Sequence, residues 1–159
     1  MKPIALVPGL LLLLGLSFAC GGSGSNDGSP GGSAVPTCFD ASGKPTSACA
    51  VTPSANVCSR GDANSCMTLQ TVGVYAATAS TGVCLHLVFV NTCQVETYSD
   101  TCIETTEDSQ GWQCWTSSVE PGSTIDESEC DASGKYFFVS TESSGLLDSL
   151  EQQCSAPLS

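Results

Sequence analysis

Ten cysteines fall between Cys38 and Cys154. Two kinds of chemistry are open to so many thiols: oxidation in pairs, or holding a metal. Structural zinc sites set ligands two to four residues apart and recruit further cysteines or histidines. Here the closest two are Cys58 and Cys66, and the chain has one histidine, so no metal or other cofactor is expected. The expectation is five disulfides among Cys38, Cys49, Cys58, Cys66, Cys84, Cys93, Cys102, Cys114, Cys130 and Cys154. A bridge contributes about 2–4 kcal/mol, so five would supply on the order of 10 kcal/mol, as much as the net stability of an ordinary domain. Spacing does not say which cysteine takes which partner.

His86 is the other residue with obvious chemistry, because imidazole titrates near neutrality. A nucleophilic site would need a serine and a carboxylate in hydrogen-bond reach of it. The chain has no G-x-S-x-G elbow to present such a serine. A lone histidine in an apolar strand reads instead as a hydrogen-bonded structural residue. Asp126, Glu127, Glu129 and Asp131 have the oxygens that calcium takes. The EF-hand register starting at Asp131 fails, however, with Lys135 and Tyr136 where a ligand and a glycine belong. A solvated acidic face explains them better, and no two acids stand out as a glycosidase pair. Arg60-Gly61-Asp62 resembles the integrin-binding tripeptide, and a disulfide-held loop between Cys58 and Cys66 would display it. Trp112 and Trp115, with Tyr98, have the makings of a protein- or sugar-binding platform, although aromatics beside cysteines usually belong to the core.

An eleventh cysteine, Cys20, lies outside this set and makes the count odd. It follows Lys2, an apolar run from Ile4 to Phe18 broken by Pro8 and Gly9, and the small residues Ser17 and Ala19. That is the layout of a cleaved export signal, too short and broken for a membrane span. A cysteine directly after the cut resembles the lipobox of bacterial lipoproteins, with Ser17 where that family favours leucine. The resemblance covers the signal region alone and implies acylation of Cys20. Using Cys20 for lipid leaves an even ten. The expected organisation is a signal peptide over 1–19, a lipid-anchored Gly/Ser linker over 20–37 and a disulfide-rich domain over 38–159. The linker's composition makes a flexible coil that reaches on the order of 20 Å.

Within the domain, strand signals cover Met67–Ala77, Val83–Val90, Cys102–Glu107, Trp112–Ser117 and Tyr136–Thr141. Val83–Val90 is apolar on both faces, as in a buried central strand. Ser143 or Ser144 caps a C-terminal helix with Leu146, Leu147, Leu150 and Cys154 along one side. Ser123-Thr124-Ile125-Asp126 reads as the cap of a short helix running to Cys130. The fold class is therefore α+β: a β-rich, disulfide-stabilised domain with hairpins and a C-terminal helix. Three related stretches, Asp40–Lys44, Asp131–Lys135 and Asp108–Trp112, read as hairpin tips with glycine in the left-handed position. A tight turn at Asp108–Gly111 sets Thr106 opposite Cys114 and puts Cys102 four residues out of step with it. On that register Cys102 and Cys114 take other partners, and Ile103 and Trp115 share the opposite face.

Charge excludes one class of partner. Sixteen acids stand against four bases, and beyond Cys93 Lys135 is the sole base. Phosphate backbones demand basic side chains, so nucleic acid is not a partner. Anionic headgroups are repelled as well, which leaves the N-terminal lipid as the attachment to a membrane. The sequence thus reads as a lipoprotein of the cell envelope, placed at the outer membrane, with a non-enzymatic module that binds a protein or a glycan. A small secreted hydrolase using His86 is the alternative.

Overall fold

The structure, a computed structural model, describes residues 34–106 and 111–154. The signal peptide, Cys20 and most of the linker lie outside them, as does most of the Asp108–Gly111 turn. The described chain is mostly β-sheet with one C-terminal helix, a β-rich α+β arrangement.

Two sheets face each other. One has the order β2 (Pro45–Thr46), β1 (Thr37–Phe39), β4 (Met67–Tyr75), β5 (Cys84–Asn91), β8 (Thr124–Glu129). The other has the order β3 (Ser54–Val57), β9 (Ala132–Thr141), β6 (Thr97–Thr105), β7 (Trp112–Val119). Pairing is antiparallel except for β1 on β4 and β3 on β9. Strand alternation then decides what is buried. Leu69, Val72, Val74, Leu85, Leu87, Phe89 and Ile125 point inward from the first sheet to meet Ile103, Val119, Tyr136 and Phe138 from the second. Phe89 and Phe138 stack across the gap with ring centroids 4.2 Å apart.

The helix α1 (Ser144–Gln153) covers the other face of the four-stranded sheet. There Cys102, Phe137 and Val139 pack with Leu147, Leu150 and Cys154. β9 is therefore buried on both sides, and β5 on one only. The outer residues of β5, His86, Val88 and Val90, are half-exposed, which corrects the expectation of a strand buried on both faces. Leu146 likewise falls off the helix's packing side and is 49% exposed.

Three other expectations are overturned. Residues after Ser123 form the edge strand β8 and not a helix. Glu120-Pro121-Gly122-Ser123 closes a turn, with the Ser123 amide donating to the Glu120 carbonyl and Gly122 at φ +78°. Proline and glycine at the two central positions dictate that turn and outweigh the capping signal. The chain leaves the turn extended and pairs with β5.

The two copies of Asp-Ala-Ser-Gly-Lys differ in conformation. Asp40–Lys44 is the hairpin tip expected, with Asp40 Oδ1 accepting from the amides of Ser42 and Lys44. Asp131–Lys135 is no tip. It runs into β9, where three residues bulge against Glu104 alone. Gly134 at φ +96° absorbs the extra length, and Glu104 fills the bulge by accepting from Ser133 and pairing with Lys135.

The register of β6 and β7 is also corrected. Cys102 stands directly opposite Cys114, and Glu104 opposite Trp112. Most of the Asp108–Gly111 turn lies outside the described residues; the two strands meet ahead of it, where the Thr105 amide donates to the Gly111 carbonyl. The observed register is moved by four residues from the one such a turn predicts, which brings the two cysteines face to face. Ile103 and Trp115 do lie on the face opposite the cysteines, against the inter-sheet core.

Candidate functional site

Five cysteine pairs lie at disulfide distance: Cys38–Cys49, Cys58–Cys154, Cys66–Cys93, Cys84–Cys130 and Cys102–Cys114. They tie the edges of the domain inward. Cys58–Cys154 pins the end of α1, Cys102–Cys114 joins opposed positions on β6 and β7, and Cys84–Cys130 ties the start of β5 to the residue just after β8. All ten cysteines from Cys38 to Cys154 are used this way, and Cys20 lies outside the described residues.

The outward side of the five-stranded sheet gathers the candidate binding residues. Cys38 points into the core, so its neighbour Phe39 points out, and the parallel pairing of β1 with β4 sets Phe39 beside Tyr75. Their rings stack with centroids 4.5 Å apart and planes 6° from parallel. Gly73, two residues before Tyr75 on the same side, lets that ring lean back across the strand. A Cβ at Gly73 would lie 3.0 Å from Tyr75 Cε2. His86 stands opposite Gly73 on the next strand, and its Nε2 lies 2.6 Å from Asp126 Oδ1 on β8. Two half-buried rings, an imidazole and a carboxylate thus share one solvent-facing surface.

Beyond Tyr75 the sheet ends in the loop that joins β4 to β5. A polar cleft of about 340 Å³ opens there, lined by Thr78, Ser80, Thr81, Gly82 and Asp131. The Thr78 hydroxyl bonds to that of Thr81 at 2.8 Å, which sets the hydroxyls along the cleft wall.

The remaining sequence candidates are dispersed. Trp112 packs on the helix side of its sheet with Tyr98, whereas Trp115 lies on the core side, so the three form no platform. Cys58 and Cys66 bond elsewhere and enclose no loop of their own. Within Arg60-Gly61-Asp62, Arg60 donates to Gln153 at 2.6 Å and Asp62 accepts from the Glu142 amide at 3.1 Å. Gly61 sits against the Ser140 carbonyl and Asn64 with no room for a Cβ. The tripeptide braces the start and end of the helical segment. Asp126 and Glu127 point to opposite sides of β8: Asp126 faces His86, while Glu127 accepts from Ser117. Burial raises the Glu127 carboxyl above its usual range. The four acids from Asp126 to Asp131 do not converge.

A second cluster lies beneath α1. Asp100, Cys102 and Cys114 bring one carboxylate oxygen and two sulfurs within 4.8 Å of one another. The sulfurs are bonded to each other, which removes them as metal ligands. Asp100 is 5% exposed. Burial, and then the negative charge of Glu151 on α1, push its carboxyl up to about 6, against a hydrogen bond from Thr116. Nothing in the sequence marked Asp100, since its burial depends on the helix that closes over it.

Among the described residues no hydroxyl hydrogen-bonds to the His86 ring, and no helix is long and apolar enough to cross a membrane. Compared with family models, curated proteins and solved structures, the chain matches none.

Proposed function

We propose that this is a lipid-anchored protein of the cell envelope, exported by its signal peptide and held at the outer membrane through acylated Cys20. Its domain is a non-enzymatic module that binds an uncharged glycan on the outer side of the five-stranded sheet. The observation that carries the reading is the Phe39–Tyr75 stack beside His86 and Asp126 on one solvent-facing surface. A sugar ring has an apolar C–H face, which lies on aromatic rings, and hydroxyls around its edge, which need donors and acceptors. Flat apolar rings next to a few convergent polar groups meet both demands, and the hydroxyl-lined cleft extends the surface for a second residue. A net charge of −12 argues against sulfated or phosphorylated glycans. Screening the mature chain on an array of neutral and acidic glycans tests the reading. Neutral glycans should be retained, and Phe39→Ala and Tyr75→Ala should lose them. Retention of acidic glycans alone would refute it.

One observation favours a second reading. The 2.6 Å contact of His86 with Asp126 is how a catalytic base is oriented. A secreted hydrolase would add a hydroxyl nucleophile to that pair. Labelling of the mature chain by a serine-reactive phosphonate, lost in His86→Ala, would establish it.

A further inference from the structure

We propose that the Cys102–Cys114 bridge is a thiol–disulfide exchange site for a dithiol, with Asp100 giving the leaving sulfur its proton. Among the described residues this is the bridge with a carboxylate oxygen within 4.8 Å of both sulfurs. Its two halves are unequal. Cys102 is fully buried and Cys114 is partly exposed, so an incoming sulfur reaches Cys114 and the bond breaks toward Cys102. Cys102 Sγ lies 3.6 Å from Asp100 Oδ2.

A thiolate released at Cys102 would be buried next to acids, a costly charge unless it is protonated at once. The groups facing Asp100 are few. Glu151 approaches from α1, with Asp148 beside it; Thr116 faces it from β7; and β9 presents apolar Val139. Burial and Glu151 keep the Asp100 carboxyl neutral into mildly acidic conditions, with an upward shift to about 6.

The exchange balances as follows. One sulfur of the dithiol, as thiolate, forms a bond to Cys114 Sγ while the Cys102–Cys114 bond breaks. The electron pair goes to Cys102 Sγ, which takes the Asp100 proton. The second dithiol sulfur gives up its proton to the Asp100 carboxylate and displaces Cys114, which is protonated from solvent. The dithiol is oxidised to a disulfide, and two electrons and two protons end on Cys102 and Cys114.

Cys84–Cys130 is an internal control. It ties the start of β5 to the residue just after β8, with Cα atoms 3.9 Å apart, and both of its cysteines are partly exposed. If exposure alone governs reduction, that bridge opens first. The test treats the mature full-length chain with limiting dithiothreitol at about pH 5 and about pH 8, followed by acid quench, alkylation and peptide mapping. The rate ratio of the two bridges cancels the reductant's own thiolate fraction. Cys102–Cys114 should open at least about threefold faster than Cys84–Cys130 at the lower pH, and the ratio should fall as pH rises through the Asp100 titration. Asp100→Asn should give a ratio independent of pH. A wild-type ratio that does not change with pH, or Cys84–Cys130 opening first at both, overturns the proposal. The wild-type ratio decides even if Asp100→Asn does not fold.

Discussion

His86 and Asp126 meet diagonally across β5 and β8, since His86 is opposite Ser128 and Asp126 is opposite Val88. Their 2.6 Å contact lies on an exposed surface, with Asp126 66% exposed. Such pairs contribute roughly 0.2–1 kcal/mol. His86→Ala should therefore lower stability by less than about 1 kcal/mol in urea unfolding. A loss of several kcal/mol would mean that the imidazole has a buried partner.

Attachment is a separate matter. Cleavage before Cys20 with acylation of its new N-terminus predicts a membrane-bound mature chain whose intact mass carries the lipid. Cys20→Ser should release a folded domain, since all ten cysteines of the domain are already paired. An unmodified thiol at Cys20 in a soluble mature protein would refute the anchor.

Stability should rise on mild acidification. Burial raises the folded-state carboxyls of Asp100, Glu127 and Glu151. An acid with a raised folded pKa binds more protons in the native state, so stability falls as pH rises through the titration. The melting temperature should be a few degrees higher near pH 5 than near pH 8, with Asp100→Asn removing most of the difference. Asp40 and Glu104 act oppositely. Hydrogen bonds from Ser42 and Ser133 lower their carboxyls, so their contribution disappears only in stronger acid.

Gly61 marks a close approach of two chain segments. A methyl there would overlap the Ser140 carbonyl and the Asn64 side chain. Gly61→Ala should cost about 1–3 kcal/mol, read as a lower urea midpoint. Asp62→Asn, which keeps an oxygen for the Glu142 amide, should cost much less. Cell-adhesion assays with the folded domain should give no response to either change.

The sequence revealed most where residue type alone marks an element. Runs of β-branched, aromatic and apolar residues outlined β4, β5, β7 and β9, and a helical apolar pattern outlined α1. Turn chemistry was legible only where one signal stood alone. At Ser123 a capping pattern competed with Pro121-Gly122, and the turn prevailed. The identical Asp-Ala-Ser-Gly-Lys stretches diverged because Asp131–Lys135 must pair with β6, whereas Asp40–Lys44 joins two short strands. The Cys102–Cys114 partnership hung on the length of one connection, which local residue preferences do not set. Phe39 and Tyr75 were hidden for a related reason. They meet through the parallel pairing of β1 and β4, a long-range register with no local signature.

If the Phe39–Tyr75 surface holds a neutral glycan, binding depends on these rings. The most direct measurement is calorimetric titration of the Cys20→Ser mature chain with a neutral oligosaccharide retained on the array. Tyr75→Ala, Gly73→Val and, as a control on the other sheet, Trp112→Phe are titrated in parallel. Loss of the ring, or its displacement by a side chain at Gly73, should weaken binding by about tenfold or more, about 1.4 kcal/mol, with Trp112→Phe unchanged. Equal affinity of Tyr75→Ala and the unsubstituted chain would show that the glycan does not bind on this surface.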